Sequence, residues 1–253
     1  MITQEQINQH WDVRADMYDE HVCGELASDR AKEWVSLIEQ NAPQTRPLHV
    51  LDAGCGPGFF PVLLSKAGHL VTGIDGSLGM LERARKNAAE QGVGPELVQG
   101  DFGNLPFPDD TFDLIVNRNV THIIREHLKV YGEWNRVLKP GGTLLIFDAN
   151  WHLPYHPGPV REDAIRRERA CLERYGKGFT HDGSYEYIDS DLDFENYRVF
   201  GTCSRPDFDI GVLSQLPFRE ITFERDVTEK LWSDKEKLMY GATPLYLVRA
   251  VKE

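Results

Sequence analysis

The chain has little that would mark a metal knuckle, a disulfide scaffold or a membrane-spanning protein. Its four cysteines, Cys23, Cys55, Cys171 and Cys203, include no Cys-x-x-Cys pair. Neither a zinc knuckle nor a disulfide framework is indicated, and the usage suits a reducing compartment. Positive charge is scarce: 28 Lys and Arg stand against 40 Asp and Glu, for a net charge of −12. Such a surface repels phosphate backbones and argues against nucleic acid as a partner. The cluster Arg161, Arg166, Arg167 and Arg169 alternates with Glu162, Asp163 and Glu168 and reads as a solvated helix face. No apolar run approaches the roughly 20 residues that span a bilayer. The polar start MITQEQINQHWDVRADMYDEH lacks the basic and then apolar pattern of a secretory signal, so a cytoplasmic protein is expected. Internal repeats and low-complexity tracts are missing too.

What is present is an alternation of short apolar runs and helical patterns from about residue 48 to residue 150. LHVLDAG reads as a buried strand entering a glycine turn, and FFPVLLSKAG as a helix closed by Gly68. HLVTGID is a second strand. Ser77 is placed to cap the next helix, which carries Leu78, Leu81, Ala84 and Ala88 on one face and ends at Gly92. ELVQGD and FDLIVNR are strands three and four. A helix through Leu128, Tyr131, Trp134 and Leu138 stops at KPGG, before a fifth strand, TLLIFDA. This rhythm predicts an α/β fold, a Rossmann-like, doubly wound parallel sheet with helices on both faces. ITFERDV and PLYLVRAV add two strands with no long helix between them, a pair able to run antiparallel. The segment from Asn150 to about Pro206 is a long excursion containing one helix, near Val160 to Tyr175. Such excursions in a compact domain usually serve as lids or substrate caps.

Glycines 54, 56 and 58 follow a strand and open a helix, so the backbone can turn sharply and approach a ligand. Phosphate binders, dinucleotide binders and plain tight turns all use such a loop. A dinucleotide site wants a third small residue where Phe59 stands. A phosphate loop wants Gly-Lys-Ser/Thr, which is missing. Asp52, just before the first glycine, is unwelcome beside a pyrophosphate but suits a cofactor carrying an ammonium and a sulfonium. Asp75 ends the second strand, where a carboxylate can accept both hydrogens of a ribose diol. Asp101 ends the third, followed by Phe102, beside the place an adenine takes outside the carboxyl ends of the strands. Singly, each acid is as easily a turn former; three in succession are harder to explain that way.

With WDVRADMYD, VLDAGCGPG, VTGIDGSLGMLERAR, VQGDFGNLPFPDDTFDLIVNRNVTHI and RVLKPGGTLLIFD in view, the chain resembles the class I S-adenosylmethionine-dependent methyltransferases, in the branch related to quinone biosynthesis. The resemblance covers about residues 11–150, and the strands near 221–250 fit it. It implies a seven-stranded sheet in the order 3-2-1-4-5-7-6 with strand seven antiparallel, and S-adenosylmethionine as cofactor with S-adenosylhomocysteine as product. It further implies that Asp52 and the loop Gly54-Cys55-Gly56, with Gly58, surround the amino-acid end of the cofactor, and that Asp75 holds the ribose. Gly76 and Met80 would line the adenosine pocket, and Asp101 and the Phe102 amide would meet the adenine. Asn117 would lie near the methionine portion, with Tyr18, assisted by Arg14, folding over from an N-terminal helix. The expected organisation is a helical lid over 1–45, a cofactor-binding core over 46–150, a cap over 151–205 and a sheet-closing segment over 206–253. The Asn/Asp-Pro-Pro-Tyr/Phe motif of methyltransferases acting on base or glutamine nitrogens is replaced by NRNVTH, which argues against those substrates.

Methyl transfer from a sulfonium needs alignment above all, and a base only where the acceptor arrives protonated. His122, after strand four, is the candidate base, with a packed structural role as its alternative. Trp151, His152, Tyr155 and His156, with His122, are the candidate acceptor-binding residues, since they sit at the carboxyl edge of the sheet. Trp151, Tyr155, Tyr185 and Tyr187 can wall an apolar or cationic pocket, or simply pack. His152, His156 and Asp148 offer nitrogen and oxygen donors, but Pro154 and Pro157 rule out a helical i, i+4 metal pair, so no metal is expected. The expectation is methylation of a small molecule at O, N, S or C. Methylation of a protein or tRNA, or a non-catalytic cofactor-binding subunit, are the alternatives; Phe59 opposes a nicotinamide oxidoreductase.

Overall fold

Buried aliphatic runs set the frame of the computed structural model, which describes residues 4–178 and 203–253. Three helices lead in: α1 (Gln4–Asp12), α2 (Ala15–Leu26) and α3 (Arg30–Asn41). Then come β1 (His49–Ala53), α4 (Phe59–Lys66), β2 (Leu70–Asp75), α5 (Leu78–Glu90), β3 (Glu96–Gln99), β4 (Phe112–Arg118), α6 (His127–Val137) and β5 (Leu138–Asp148). Beyond them lie α7 (Pro159–Tyr175), α8 (Arg205–Leu213), β6 (Phe218–Glu224), two short helices α9 (Thr228–Leu231) and α10 (Asp234–Tyr240), and β7 (Tyr246–Lys252). The strands form one sheet in the order β3-β2-β1-β4-β5-β7-β6. β1 to β5 pair in parallel, and β7 runs antiparallel to both β5 and β6. The seven-stranded order expected from the resemblance is the one observed.

Each sheet face carries its own core, as period-two alternation requires. Val50, Leu114, Val116, Leu145 and Phe147 face α3 and α4, where Trp34 meets Phe59, Phe60 and Phe147 edge-on. Leu51, Ile115, Leu144 and Ile146 face α6 and α8, against Tyr131, Trp134 and Leu213. Ser77 caps α5, its hydroxyl accepting from the Met80 amide at 3.1 Å.

Two helix faces differ from the sequence reading at their first residue. Leu81, Ala84 and Ala88 of α5, and Tyr131 and Trp134 of α6, are buried as expected, but Leu78 and Leu128 at the start of each helix are exposed, and Met80 and Val130 are buried instead. KPGG lies inside β5 rather than before it, because Leu138 already pairs with Phe112 ahead of a register shift.

Among the described residues no helix is long and apolar enough to cross a membrane. Tyr185 and Tyr187 lie outside the described residues.

Candidate active site

Parallel pairing of β1 with β2 sets Asp52 opposite Gly73 and brings the carboxyl ends of both strands to one edge. There the glycine loop folds back: the Gly54 and Cys55 amides both donate to the Ile74 carbonyl, at 2.9 and 3.0 Å. Gly54 has φ 81°, and a Cβ on it would lie 2.6 Å from Val120 Cγ2. Only glycine meets both demands, because a side chain would strain the backbone and collide with the loop after β4. Asp75 braces the turn, accepting from the Gly56 amide at 2.8 Å and the Ser77 amide at 2.9 Å.

The loop borders a cavity of about 270 Å³. Tyr18, Asp52, Gly54, Cys55, Gly56, Asp75, Gly76, Met80, Asp101 and Phe102 all line it, so the structure brings ten of the twelve cofactor candidates together. Gly58 sits at the start of α4 against Ala84 instead. Asn117 points to the other sheet face, with Ile115; it is fully buried, and neither amide atom has a hydrogen-bond partner. Arg118, one residue on, takes the place on the cavity side. Asp101 lies two residues past the end of β3, an exposed turn former that accepts from the Gly103 amide.

Helix α1 closes one side. Asp12 accepts from Ser77 Oγ at 2.5 Å and the Gly79 amide at 2.9 Å, tying the end of α1 to the start of α5. A Cβ on Gly76 would lie 2.4 Å from Asn8 Oδ1, so this glycine permits the close approach. Asn8 and Trp11 therefore line the cavity; Trp11 opens the WDVRADMYD stretch, and Asn8 carried no signal in the sequence.

Electrostatics at this edge favour a cation. Burial pushes the Asp52 carboxyl well above the usual range, Arg118 opposes the shift, and Asp75 adds to it. Asp75 is also raised, by burial, against the pull of the Ser77 and Gly56 amides. Two crowded carboxylates welcome a positively charged ligand and repel a pyrophosphate.

A second cavity, about 350 Å³, abuts the first, and Tyr18, Arg118 and Asn119 line both. Its other walls include Trp34, His122, Trp151, Trp232, Glu236 and Tyr240. Arg118 is held from two sides. Its guanidinium donates to both oxygens of Glu25, at 2.7 and 2.8 Å, and lies 4.1 Å from the Phe59 ring centre. The bulk of Phe59 that argued against a dinucleotide loop thus serves as a platform for a cation.

His122 is oriented by a carboxylate with many donors. Asp148 is fully buried and accepts from Thr121 Oγ1 at 2.7 Å, the Ala149 amide at 2.8 Å, Trp151 Nε1 at 2.9 Å and the His122 amide at 3.0 Å. His122 Nδ1 stands 3.1 Å from the other oxygen. Burial alone would raise the carboxyl, but His122, Arg205 and Thr121 together hold it well below the usual range. His152 is buried, its Nε2 3.4 Å from the His122 carbonyl, and burial drives its pKa down to about 3. His152, Tyr155 and His156, in and beside the turn at Leu153–Tyr155, line neither cavity, whereas Trp151 joins His122 in lining the second. Arg14 lines neither cavity, its guanidinium meeting His10 Nδ1 at 2.9 Å.

One further cluster was invisible in the sequence. His21, Glu25 and Glu236 place one ligand-type atom each within 4.8 Å of one another. They come from α2 and α10, far apart in the chain, and both oxygens of Glu25 are already engaged by Arg118.

Comparison with known proteins agrees with this architecture. A family described as a methyltransferase domain matches residues 51–146. A demethylmenaquinone methyltransferase of Staphylococcus aureus is 34% identical over 130 residues, which is 49% of this chain and 53% of that protein. The match thus spans about half the length of that relative. A phosphatidylethanolamine N-methyltransferase of Cereibacter sphaeroides is 36% identical over 146 residues, 56% of this chain and 68% of that protein. In fold, a geranyl diphosphate C-methyltransferase from Streptomyces coelicolor superposes with a TM-score of 0.62 at 17% identity, covering 99% of this chain and 98% of that one. The chain belongs to the class I S-adenosylmethionine-dependent methyltransferases.

Proposed function

We propose that this protein transfers a methyl group from S-adenosylmethionine to a small-molecule acceptor held in the second cavity. The shared wall of Tyr18, Arg118 and Asn119 carries the reading, because reactants in adjoining chambers are aligned by proximity, the main contribution this reaction needs. The donor side fits the cofactor: two crowded carboxylates, Asp52 and Asp75, face a cleft that glycines keep open. In this reading Asp52 and the Gly54–Gly56 backbone hold the amino-acid end and Asp75 the ribose. Gly76 and Met80 flank the adenosine, and Asp101 and the Phe102 amide meet the adenine. Bound there, S-adenosylmethionine would supply an activated methyl: the acceptor lone pair takes the carbon, and sulfur keeps the electron pair of the broken C–S bond.

His122 is the proposed base. With Asp148 beside Nδ1, Nε2 is the nitrogen that takes the acceptor proton. The proposed cap is the segment 151–205, of which 179–202 lie outside the described residues; the packing of α7 on α10, whose Glu236 and Tyr240 line the second cavity, supports it. The two relatives are by name a quinone and a phospholipid methyltransferase. The match to each covers about half of this chain, so neither acceptor is carried over.

Calorimetry with S-adenosylhomocysteine and with NAD tests the cofactor assignment, micromolar binding of the first and none of the second being expected. Tight NAD binding would overturn it. Release of S-adenosylhomocysteine with an acceptor panel of amines, phenols and thiols tests the reaction; cofactor binding with no turnover on any of them would favour a non-catalytic subunit.

A further inference from the structure

The second cavity combines aromatic walls with a carboxylate that no Lys or Arg pairs among the described residues. Trp151, Trp232 and Tyr240 pack as a trio, with ring centres 5.6 to 6.5 Å apart and two of the three pairs near edge-on. Trp34 and Tyr18 continue the wall. Electron-rich ring faces of this kind attract cations.

The charges in the cavity point the same way. Its guanidinium, Arg118, is matched oxygen for oxygen by Glu25, so that pair contributes little net charge. Glu236 is different. Its Oε2 accepts from the amide and hydroxyl of Ser233, both at 2.7 Å, in the capping box of α10. Its Oε1 lies 3.7 Å from His21 Nε2, and His21 is 44% exposed at the rim. No Lys or Arg stands within ion-pair distance of Glu236 among the described residues, so its carboxylate faces the indole walls with room for a cationic partner. Tyr240 registers the same field: burial first, then Glu236, Tyr18 and Glu25, push its phenol well above the ordinary range.

We infer that the acceptor bound in this cavity is a cationic amine, its ammonium head seated between the Trp151–Trp232–Tyr240 rings and the Glu236 carboxylate. This rests on the reading of the cavity as the acceptor chamber. An anionic acceptor would find no unmatched guanidinium or ammonium among the described lining residues. A plain apolar acceptor would leave Glu236 uncompensated.

The test uses choline and its uncharged isostere 3,3-dimethylbutan-1-ol, titrated by calorimetry at pH 8. Both are measured with and without saturating S-adenosylhomocysteine. Choline is expected to bind at least tenfold more tightly than the alcohol. Glu236→Gln, which keeps the capping box, and Trp232→Leu are each expected to weaken choline about tenfold while leaving S-adenosylhomocysteine affinity unchanged. Equal affinity for the two probes, no choline binding, or an unchanged Glu236→Gln variant would each overturn the inference. So would stoichiometric magnesium or zinc binding that Glu236→Gln abolishes, since His21, Glu25 and Glu236 would then be a metal site. Failure of S-adenosylhomocysteine to bind would strike the methyltransferase reading instead, and choline binding without it would still report on the cavity.

Discussion

His122 Nδ1 lies 3.1 Å from one oxygen of Asp148, and the His122 amide donates to the other at 3.0 Å. One buried carboxylate thus fixes both the backbone and the ring of the residue that faces the second cavity. Thr121 extends the chain of contacts. Its hydroxyl donates to Asp148 and accepts from Arg205, which pairs with Asp209, itself an acceptor from Tyr131 and Tyr246.

Asp148→Asn should leave the fold in place but release the His122 ring, since one amide cannot accept from all the donors now converging there. We expect kcat to fall about 10–100-fold, part of the roughly 10²–10⁴-fold that a positioned base contributes, with S-adenosylhomocysteine affinity changed less than about threefold, within roughly 0.7 kcal/mol. Steady-state kinetics beside calorimetry separate the two effects. An unchanged kcat would remove His122 from the mechanism.

Gly54→Ala should destabilise the protein by about 1–3 kcal/mol, from the left-handed backbone and the contact with Val120 together. Adding Val120→Ala relieves the collision and not the backbone strain, so the double variant should recover part of the loss. Urea unfolding of the wild type, both single variants and the double variant measures this. Additive losses would show that the two residues do not meet.

Arg205 and Asp209 are both fully buried. Breaking such a pair from one side strands the other charge, so Arg205→Met should cost about 3–5 kcal/mol. The stranded Asp209, already raised by burial, would take up a proton. The loss should therefore be smaller at pH 5 than at pH 8 in chemical denaturation, and equal losses at both would contradict the proton uptake.

Two buried histidines make stability fall in mild acid. Burial and Arg205 lower His127 to about 4, and burial and His122 lower His152 to about 3. The unfolded chain binds protons at these sites from about pH 6.5 downward, whereas the native protein does not until those lower values. Their contribution is therefore full above about pH 6.5 and shrinks as pH falls through the window. By pH 5 each should cost about 2 kcal/mol. His127→Gln and His152→Gln should flatten the curve of unfolding free energy between pH 7 and 5, and a slope unchanged from wild type would refute the assignment.

The local grammar of the chain was readable in advance. Strand and helix alternation, the glycine loop, the cap at Ser77 and the acids Asp52 and Asp75 depend on neighbours a few residues away, and such patterns survive in sequence. Leu78 and Leu128 misled because an amphipathic period does not say which edge of the apolar stripe meets the sheet. Asn117 misled by one residue: on a strand, adjacent side chains take opposite faces, and Arg118 faces the cleft. Asn8, Glu25, Glu236 and Tyr240, on ordinary helices, and Trp232, between two of them, carried no readable signal.

By itself, then, the sequence determined the class of fold and the cofactor-shaped edge of the sheet, since both are written in short-range spacing at strand ends. Only the tertiary structure decided what stands around the second cavity. The Glu25–Arg118 pair joins α2 to the end of β4, and with the packing of α10 on α7 it gathers Tyr18, Glu25, Arg118, Trp232, Glu236 and Tyr240 around one cavity. That juxtaposition depends on long-range burial of helix faces, which no local spacing records.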